Sequence, residues 1–267
     1  MTTIHPTAIV DKNAELDSGV VVGPYSIIGP NVKIGKNTNV LSHVVIDGHV
    51  TLGAENEIFP FASVGGKPQD LKYKGEPTTL VIGARNSIRQ SVVLHPGTVT
   101  GTSTTTIGDD NLFMVGAHVA HDCRVGNGNV FANQATLAGH VTIGNRVILG
   151  GLVAIHQFAR IGDFALLGGG AMAAQDIPPY CIAQGDRAKL RGVNVIGLRR
   201  SGQSDDAIKA MRRAYHAIVL GTGPIKERIA SVLQADTEHA IVKHFIEFYQ
   251  TSTRGVARGG LSDDSAD

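Results

Sequence analysis

Residues 107–168 read IGDDNLFMVGAHVAHDCRVGNGNVFANQATLAGHVTIGNRVILGGLVAIHQFARIGDFALLG, with an aliphatic or phenylalanine side chain at every sixth position. An α-helix repeats its apolar positions every 3.6 residues and a strand every 2, so neither element alone produces a period of six. A short strand followed by a tight turn does produce it. Three such units complete a coil of 18 residues, and successive coils hydrogen-bond to each other about 4.8 Å apart. The repeat therefore predicts a parallel β-helix.

The same period extends toward the N-terminus, with two interruptions. Apolar residues recur every six positions from Ile4 to Val64, and the pattern returns between Ile82 and Leu94. Residues 65–80 (GGKPQDLKYKGEPTTL) and 101–106 (GTSTTT) lack it, so we predict that they leave the coil as loops. Insertions in a solenoid usually lie on one functional face. The predicted β-helical domain covers residues 1–190 and includes these two loops.

The repeat ends at Pro178 and Pro179, and the sequence beyond them has helical patterning. Ser204 is a favourable N-cap residue, and apolar side chains follow it at helical spacing. We predict a small C-terminal α-helical domain over residues 191–255 that covers the open end of the solenoid. Residues 256–267 are small and polar and are predicted to form a disordered tail. The predicted fold class is therefore mainly β.

Composition limits the compartment and the partners. The chain has two cysteines, its first residues lack the features of a signal peptide, and no apolar run approaches the roughly 18 residues of a membrane span. These features predict a cytoplasmic protein without stable membrane insertion. The net charge of +1 gives no reason to expect a nucleic-acid partner. Residues 185–215, however, contain eight basic and three acidic residues, which marks either a docking surface for an acidic partner or a solvated face.

A column of candidate catalytic residues emerges when the 18-residue coil is applied to the histidines. Adding 18 to His121 reaches Gly139, and adding 18 again reaches Gln157. His140 and His156 flank this column. A histidine can take a proton from an alcohol near neutral pH, and a glycine N–H can approach a developing oxyanion closely. The column therefore favours acyl transfer to a hydroxyl group, with His121 as the general base.

Two further roles depend on geometry that the repeat does not give. Asp122 would fix the tautomer of His121 if the chain turns between them, because adjacent side chains of an ideal strand point in opposite directions. Zinc would need three histidine ligands and an open position. His118 and His121 are only three residues apart, which is closer than the histidine pair of the zinc-dependent β-helical enzymes. We therefore predict no metal ion.

Several segments outside the repeat carry a more specific resemblance. They are QDLKYKGEPT (69–78), AHVAHDCRVGN (117–127), LAGHVTIG (137–144), HQF (156–158), DIPPY (176–180), GVN (192–194) and STRG (252–255). Together they resemble the UDP-N-acetylglucosamine acyltransferases of lipid A biosynthesis over essentially the whole chain. The resemblance implies a left-handed coil and a homotrimer without a cofactor. It also implies transfer of an (R)-3-hydroxyacyl chain from acyl carrier protein to the 3-hydroxyl of UDP-N-acetylglucosamine, the first step of that pathway.

The resemblance also implies roles for individual residues. The implied catalytic residues are His121, Asp122 and Gly139. The implied substrate-binding residues are Gln69, Asp70, Lys72, His118, His140, His156, Gln157, Asn194 and Arg200. The residues implied to limit acyl length are Gly169, Met172 and Arg187. Gly169 leaves room for a longer chain, Arg187 stands where the family has histidine, and Ile196 stands where an acidic residue is expected to contact ribose.

Three other functions compete with this one. The N-acyltransferases of the same pathway carry a uridine-binding domain before their coils, whereas here the repeat begins at Ile4. Coenzyme A-dependent acetyltransferases share the repeat but lack the QDLKY segment. A non-catalytic scaffold or an ice-binding solenoid would show regular threonine ladders and no clustered histidines. The sequence favours the O-acyltransferase over all three.

Overall fold

Strands of two to five residues alternate with tight turns along the computed structural model, which describes residues 1–235 and 238–260. From Thr3 to Ile155, each strand pairs in parallel with the strand three elements later, and the chain winds as a left-handed β-helix with three flat sheets. Helices follow the last coil. The mainly β architecture predicted from the six-residue period is confirmed.

The strands are grouped by sheet, in the order in which they pair. The first sheet contains β1 Thr3–Ile4, β4 Val21–Val22, β7 Asn39–Val40, β10 Glu57–Ile58, β13 Ser87–Ile88, β16 Leu112–Phe113, β19 Val130–Phe131, β22 Ile148–Leu149, β25 Leu166–Leu167, β27 Cys181–Gln184 and β28 Lys189–Val193. The second contains β2 Ile9–Val10, β5 Ile27–Ile28, β8 Val45–Ile46, β11 Ser63–Val64, β14 Val93–Leu94, β17 His118–Val119, β20 Thr136–Leu137, β23 Ala154–Ile155 and β26 Met172–Ala173. The third contains β3 Glu15–Leu16, β6 Val32–Ile34, β9 His49–Leu52, β12 Thr79–Ile82, β15 Thr104–Ile107, β18 Arg124–Val125, β21 Thr142–Ile143 and β24 Arg160–Ile161.

The core is a continuous stack of aliphatic side chains inside the three sheets. Val119 pairs with Leu137, and Leu137 pairs with Ile155 one coil further on, and all three are buried. Burying an aliphatic side chain of this size stabilises the fold by about 1.5–3 kcal/mol relative to exposure. The apolar residue at every sixth position thus provides the main stabilisation of the solenoid.

A second stack of side chains, all of them polar, runs inside one corner of the β-helix. The Oδ1 atom of Asn56 accepts hydrogen bonds from both the backbone N–H and the side-chain amide of Asn86. Asn86 accepts the same pair from Asn111, and Asn111 accepts it from Asn129. We call these four residues the asparagine ladder. Buried amides without partners are costly, and the ladder satisfies each amide with its neighbour in the next coil.

The two predicted loops are shorter at their C-terminal ends than expected. Thr79 and Leu80 belong to β12, so the first loop ends at Thr78 instead of residue 80. Thr104–Ile107 form β15 and pair with β12, so the second loop lies before Thr104 and not over residues 101–106. The prediction missed these strand residues because they precede the apolar residue that marks each repeat. They form strands because β-branched threonine favours a strand.

The C-terminal region begins with a strand and continues with short helices. β28 returns antiparallel to β27 and crosses the predicted domain boundary at residue 190. The helices are α1 Val195–Arg200, α2 Asp205–Tyr215, a π-helical turn His216–Leu220, α3 Ile225–Ala235 and α4 Ala240–Thr251. Ser204 caps α2 as predicted, because its side chain accepts a hydrogen bond from Ala207 N–H. No helix within the described residues is long and apolar enough to cross a bilayer.

Part of the predicted disordered tail is ordered. Val256 forms a β-bridge with Asp176, and Gly259 forms one with Leu190. These bridges exist because the ends of the third and first sheets leave backbone groups that the tail satisfies. Positions 261–267, which complete the predicted tail, lie outside the described residues. The division into a β-helical and a helical domain stays a prediction.

Asp176 joins the last coil to this C-terminal segment, and its removal should loosen the junction. Its buried carboxyl group accepts hydrogen bonds from Arg160 N–H (2.9 Å) and from Ser252 Oγ (2.8 Å). We expect Asp176→Ala to lower the free energy of unfolding by about 2–4 kcal/mol, because two partly buried donors lose a strong acceptor. Urea denaturation measures this loss. The exposed Asp186→Ala variant is the control, and an equal loss in both variants contradicts the assignment.

Candidate active site

His121 and Asp122 lie at the corner between the second and third sheets, in the turn that joins β17 to β18. Asp122 has a positive φ of 60°, as do its equivalents one and two coils further, His140 (62°) and Phe158 (66°). This left-handed turn reverses the chain between His121 and Asp122, so their side chains face each other. The His121 Nδ1 atom lies 2.8 Å from Asp122 Oδ2. The contact that the sequence left open is therefore present.

The Asp122 carboxyl group is held by the second loop. Thr98 Oγ1 donates to Oδ2 at 2.7 Å, and Thr102 N–H donates to Oδ1 at 2.7 Å. Thr98 N–H lies 3.1 Å from both oxygens, and Thr102 Oγ1 adds a bond of 3.2 Å. The carboxyl group is fully buried. These bonds fix its orientation, and through it the orientation of the His121 ring.

The charges in this corner follow from burial and hydrogen bonding. Burial opposes ionisation of Asp122, but the hydrogen bonds from Thr98, His121 and Thr102 outweigh it, so the pKa of Asp122 lies below its usual value. An ionised carboxylate only accepts, so the proton of neutral His121 resides on Nδ1 and the Nε2 lone pair is left for substrate. The pKa of His140 is lowered, chiefly by burial, with Asp122 opposing the shift.

Gly139 lies directly against the His121 ring, one coil further. A Cβ atom at position 139 would be 2.6 Å from His121 Cε1 and 2.8 Å from Nε2. Only glycine therefore fits here without moving the ring. Within the described residues, no group accepts a hydrogen bond from Gly139 N–H. His121 and Gly139 thus lie side by side one coil apart, in the register that the 18-residue count predicted.

Six of the predicted site residues line one cleft of about 720 Å³, which we call the corner cleft. Its walls are Gln69, Asp70, Leu71, Lys72, Thr100, Gly101, Thr102, His121, His140, Gln157 and Phe158. The first loop supplies one wall and the stacked corners supply the other. The His140 ring stacks on Phe158 with centroids 4.4 Å apart. The cleft brings together a base, an ammonium group and a carboxylate, which is the chemistry needed to bind and deprotonate a charged, hydroxylated substrate.

The other predicted residues lie elsewhere on the chain. His118 packs edge-to-face against His95, with centroids 5.1 Å apart, and burial lowers the pKa of both rings, that of His95 to about 4. His156 is exposed and contacts Arg254. Gly169, Met172 and Arg187 lie at the last coil, where Met172 is exposed and its backbone bonds to residues 185 and 188.

Asn194 and Arg200 line a separate cleft of about 1160 Å³, which we call the cap cleft, at the corner between the third and first sheets. Asn194 Oδ1 accepts from Gly197 N–H and its Nδ2 donates to Phe164 O, so this amide fixes the start of α1. Ile196, where an acidic residue was expected, also lines the cap cleft and is largely exposed.

Four residues that the structure places at the site were not predicted from the sequence. Thr98 and Thr102 hold Asp122, His95 packs on His118, and Phe158 stacks on His140. Phe158 had an available signal, because it follows His140 by 18 positions. The two threonines had none, because the loops interrupt the coil count.

A metal ion is the alternative use of this corner. One ligand atom each from His121, Asp122 and His140 lie within 4.8 Å of one another. Both Asp122 oxygens, however, already accept hydrogen bonds from Thr98, Thr102 and His121. A metal ion would have to displace these donors. The arrangement therefore favours proton transfer by an oriented histidine.

Replacing Asp122 by asparagine tests the orienting role. We expect Asp122→Asn to lower kcat about 10- to 100-fold, the range for losing one positioning hydrogen bond. The asparagine amide has an NH₂ group where the carboxylate has a second accepting oxygen, and this NH₂ group would face N–H and O–H donors. The substitution should also lower the free energy of unfolding at pH 7. Because the folded-state pKa of Asp122 lies below 3.8, this stability difference from wild type is fully present above that value and is lost as the pH falls below it. Steady-state kinetics and urea midpoints between pH 7 and 3 measure both effects, and a pH-independent difference contradicts the assignment.

Two family models match parts of this chain. Residues 176–257 match the family described as "Udp N-acetylglucosamine O-acyltransferase; Domain 2". Residues 104–139 match the bacterial transferase hexapeptide repeat. The second match covers β15 to β20, including the corner that holds His121 and Asp122. The two family matches together thus cover coils of the β-helix and the C-terminal helices.

Solved structures extend the similarity to the whole chain. The UDP-N-acetylglucosamine O-acyltransferase of Moraxella catarrhalis is 43% identical, with a TM-score of 0.93 over 96% of this chain and 99% of that one. The UDP-N-acetylglucosamine acyltransferase of Bacteroides fragilis is 35% identical, with a TM-score of 0.93 over 95% and 99%. The Arabidopsis enzyme of the same name is 35% identical, with a TM-score of 0.81 over 96% and 100%.

Proposed function

This chain belongs to the UDP-N-acetylglucosamine O-acyltransferase family, and from that premise we propose that it transfers an (R)-3-hydroxyacyl chain from acyl carrier protein to the 3-hydroxyl of UDP-N-acetylglucosamine. The reaction is the first step of lipid A biosynthesis. The observation that carries the proposal is the 2.8 Å contact between His121 Nδ1 and Asp122, with Gly139 packed against the ring.

In the proposed mechanism, His121 is the general base. Its Nε2 atom takes the proton of the sugar 3-hydroxyl while the hydroxyl oxygen attacks the thioester carbonyl carbon. Asp122 stabilises the imidazolium that forms and keeps the proton on Nδ1 throughout. The tetrahedral intermediate then expels the carrier thiolate, which takes the proton from His121 Nε2. The C–O bond replaces the C–S bond, and no cofactor is consumed.

Gly139 supplies the proposed oxyanion donor. The thioester oxygen becomes negatively charged in the tetrahedral intermediate, and the unengaged N–H of Gly139 lies on the same corner as the base. Removing one such donor in other enzymes costs about 10²–10³-fold in rate. The absent side chain has a second role here, because it leaves the space that the His121 ring occupies.

Loop residues at the corner cleft bind the acceptor in this proposal. Asp70 and Lys72 face His121 and His140 across the cleft. Asp70 Oδ1 accepts from Lys72 N–H at 2.9 Å, which tightens the loop around these two side chains. Lys72 acts as a point charge for the diphosphate. Gln69, His118, His140, His156 and Gln157 contribute to the sugar and acyl surfaces.

The separation of the two clefts supports a homotrimer. The corner cleft lies between the second and third sheets, whereas the cap cleft lies between the third and first sheets. One nucleotide sugar cannot bind both clefts of the same chain, because a whole sheet separates them. Three copies around a cyclic axis place the cap cleft of one chain against the corner cleft of the next. Arg200 and Asn194 then complete the nucleotide site of a neighbour.

The donor is bound at the C-terminal end of the coil in this proposal. Gly169 leaves an open groove, and Met172 and Arg187 lie beside it, which favours a longer acyl chain. The basic residues of α1 and α2, including Arg199, Lys209 and Arg212, receive the acidic carrier protein. Two of them are already in exposed ion pairs, Arg199 with Asp205 and Lys209 with Asp206. Exposed pairs of this kind are weak and exchange readily with a partner's carboxylates.

Acyl transfer from a panel of carrier-protein thioesters tests the function. The panel varies acyl length and the presence of the 3-hydroxyl, UDP-N-acetylglucosamine is the acceptor, and mass spectrometry detects the product. We expect transfer from one 3-hydroxyacyl length above the others. Transfer from coenzyme A thioesters alone, or none from any donor to a folded protein, overturns the proposal.

A further inference from the structure

Arg254 reaches from the C-terminal segment onto the corner that carries the catalytic column. Its Nε atom donates to Ala174 O at 2.6 Å, and its Nη2 atom lies 2.8 Å from His156 Nδ1. His156 follows Ala138 by one coil and is the neighbour of Gln157, which lines the corner cleft. The guanidinium group thus connects the segment after α4 to the substrate-binding corner.

The backbone around Arg254 is held without its side chain. Ser252 Oγ donates to Asp176 Oδ2 at 2.8 Å, and Asp176 N–H donates to Gly255 O at 2.9 Å. Gly255 has a positive φ of 84°, which turns the chain immediately after Arg254. Changing the Arg254 side chain therefore removes its two contacts while the segment stays anchored on both sides.

The contact with His156 determines which ring nitrogen carries the proton. A guanidinium group only donates hydrogen bonds, so His156 Nδ1 must accept and cannot carry a proton. The same Nδ1 atom lies 3.1 Å from the Gln157 carbonyl oxygen, a contact that would require a proton on Nδ1. The two bonds exclude each other. The bond to Arg254 is shorter and has a charged donor, so it is the stronger.

We propose that Arg254 is a positioning residue that holds His156 in the Nε2–H tautomer, so that His156 donates a hydrogen bond to the bound nucleotide sugar. This inference rests on the proposed function. The opposite tautomer would present a lone pair to the substrate oxygens and repel them. Arg254 acts through His156 and not on the substrate. Its effect is on acceptor binding and not on the proton transfer at His121.

A double-mutant cycle separates this role from a structural one. We expect Arg254→Met to raise KM for UDP-N-acetylglucosamine about tenfold, with little change in kcat. A tenfold rise corresponds to the loss of roughly one hydrogen bond. Glutamine at position 156 carries an amide donor where the ring has Nε2 and needs no tautomer. In the His156→Gln background, Arg254→Met should therefore change KM less than about twofold. An equal rise in both backgrounds overturns the proposal.

Arg258→Met is the matched control, because Arg258 is an exposed arginine on the same segment. It should leave KM and kcat unchanged. Arg254→Lys keeps a cation and a donor and should recover part of the lost affinity. If Arg258→Met raises KM as much as Arg254→Met does, the effect reflects the charge of the segment and overturns the proposal.

The tautomer is also measured without turnover. NMR spectra of protein labelled with ¹⁵N-histidine report the tautomer of each ring. The signals of His156 are identified as those that the His156→Gln substitution removes. We expect an unprotonated Nδ1 in the wild type and a protonated fraction in Arg254→Met. A protonated Nδ1 in the wild type overturns the proposal. If the wild type has this tautomer but transfers no acyl chain from any donor, the proposed function fails and the proposed substrate contact fails with it.

Discussion

His121→Ala is expected to lower kcat by about 10²–10⁴-fold, the contribution that a general base typically makes. The His121 Nε2 atom has the lone pair that takes the hydroxyl proton, since Nδ1 is bonded to Asp122. KM for UDP-N-acetylglucosamine should change little, because the loop walls of the corner cleft remain. Single-turnover transfer from a carrier-protein thioester measures the effect.

The control for this variant is a histidine outside the site. His43 lies between Tyr25 and Phe61 on a different corner, so His43→Ala should retain wild-type kcat. Circular dichroism and size-exclusion chromatography establish that His121→Ala is folded and has the wild-type oligomeric state. A folded His121→Ala protein with near-normal turnover contradicts the base assignment and leaves Gly139 as the remaining catalytic group of the corner.

The second large effect is expected from Gly139→Ala, which adds one methyl group. The added Cβ atom would be 2.6 Å from His121 Cε1, so the ring must move away from its position beneath the cleft. A displacement of about 1 Å in a catalytic group costs on the order of 10²-fold, and a disturbed oxyanion donor adds to this loss. We expect kcat to fall by about 10²–10³-fold. The same transfer assay measures it.

Gly151→Ala is the matched substitution, because its added Cβ atom would come no closer than 3.6 Å to any neighbour. It should retain wild-type kcat and thermal stability. Gly139→Ala should also stay folded, since the strain falls on one partly buried ring that can turn toward the cleft. If Gly139→Ala is as active as Gly151→Ala, the close packing of His121 on Gly139 has no role in catalysis.

The coil count explains why part of the site was predictable from the sequence. His121, Gly139 and Gln157 are separated by 18 residues, and the strands around them keep that register, since His118 pairs with Thr136 and Thr136 with Ala154. The fold followed from the same period. A strict repeat converts sequence distance into spatial distance, which an irregular fold does not allow.

The rest of the site could not be predicted from the sequence, because it lies in segments that depart from the 18-residue period. Thr98 and Thr102 lie in the second loop, where Leu94 pairs with Val119 at a separation of 25 residues instead of 18. No count predicts which loop residue reaches Asp122. The position of Arg254 against His156 depends on how the C-terminal segment returns to the coil, and those two residues are 98 positions apart.

The asparagine ladder has a consequence for how the chain assembles. Each rung provides the acceptor for the backbone N–H of the next coil, so a finished coil is a template on which the following one is laid down. Because each coil contacts only its neighbours, order passes from one coil to the next through these rungs. His121 and Asp122 lie between the rungs Asn111 and Asn129, so the ladder also holds together the coils that carry the catalytic corner.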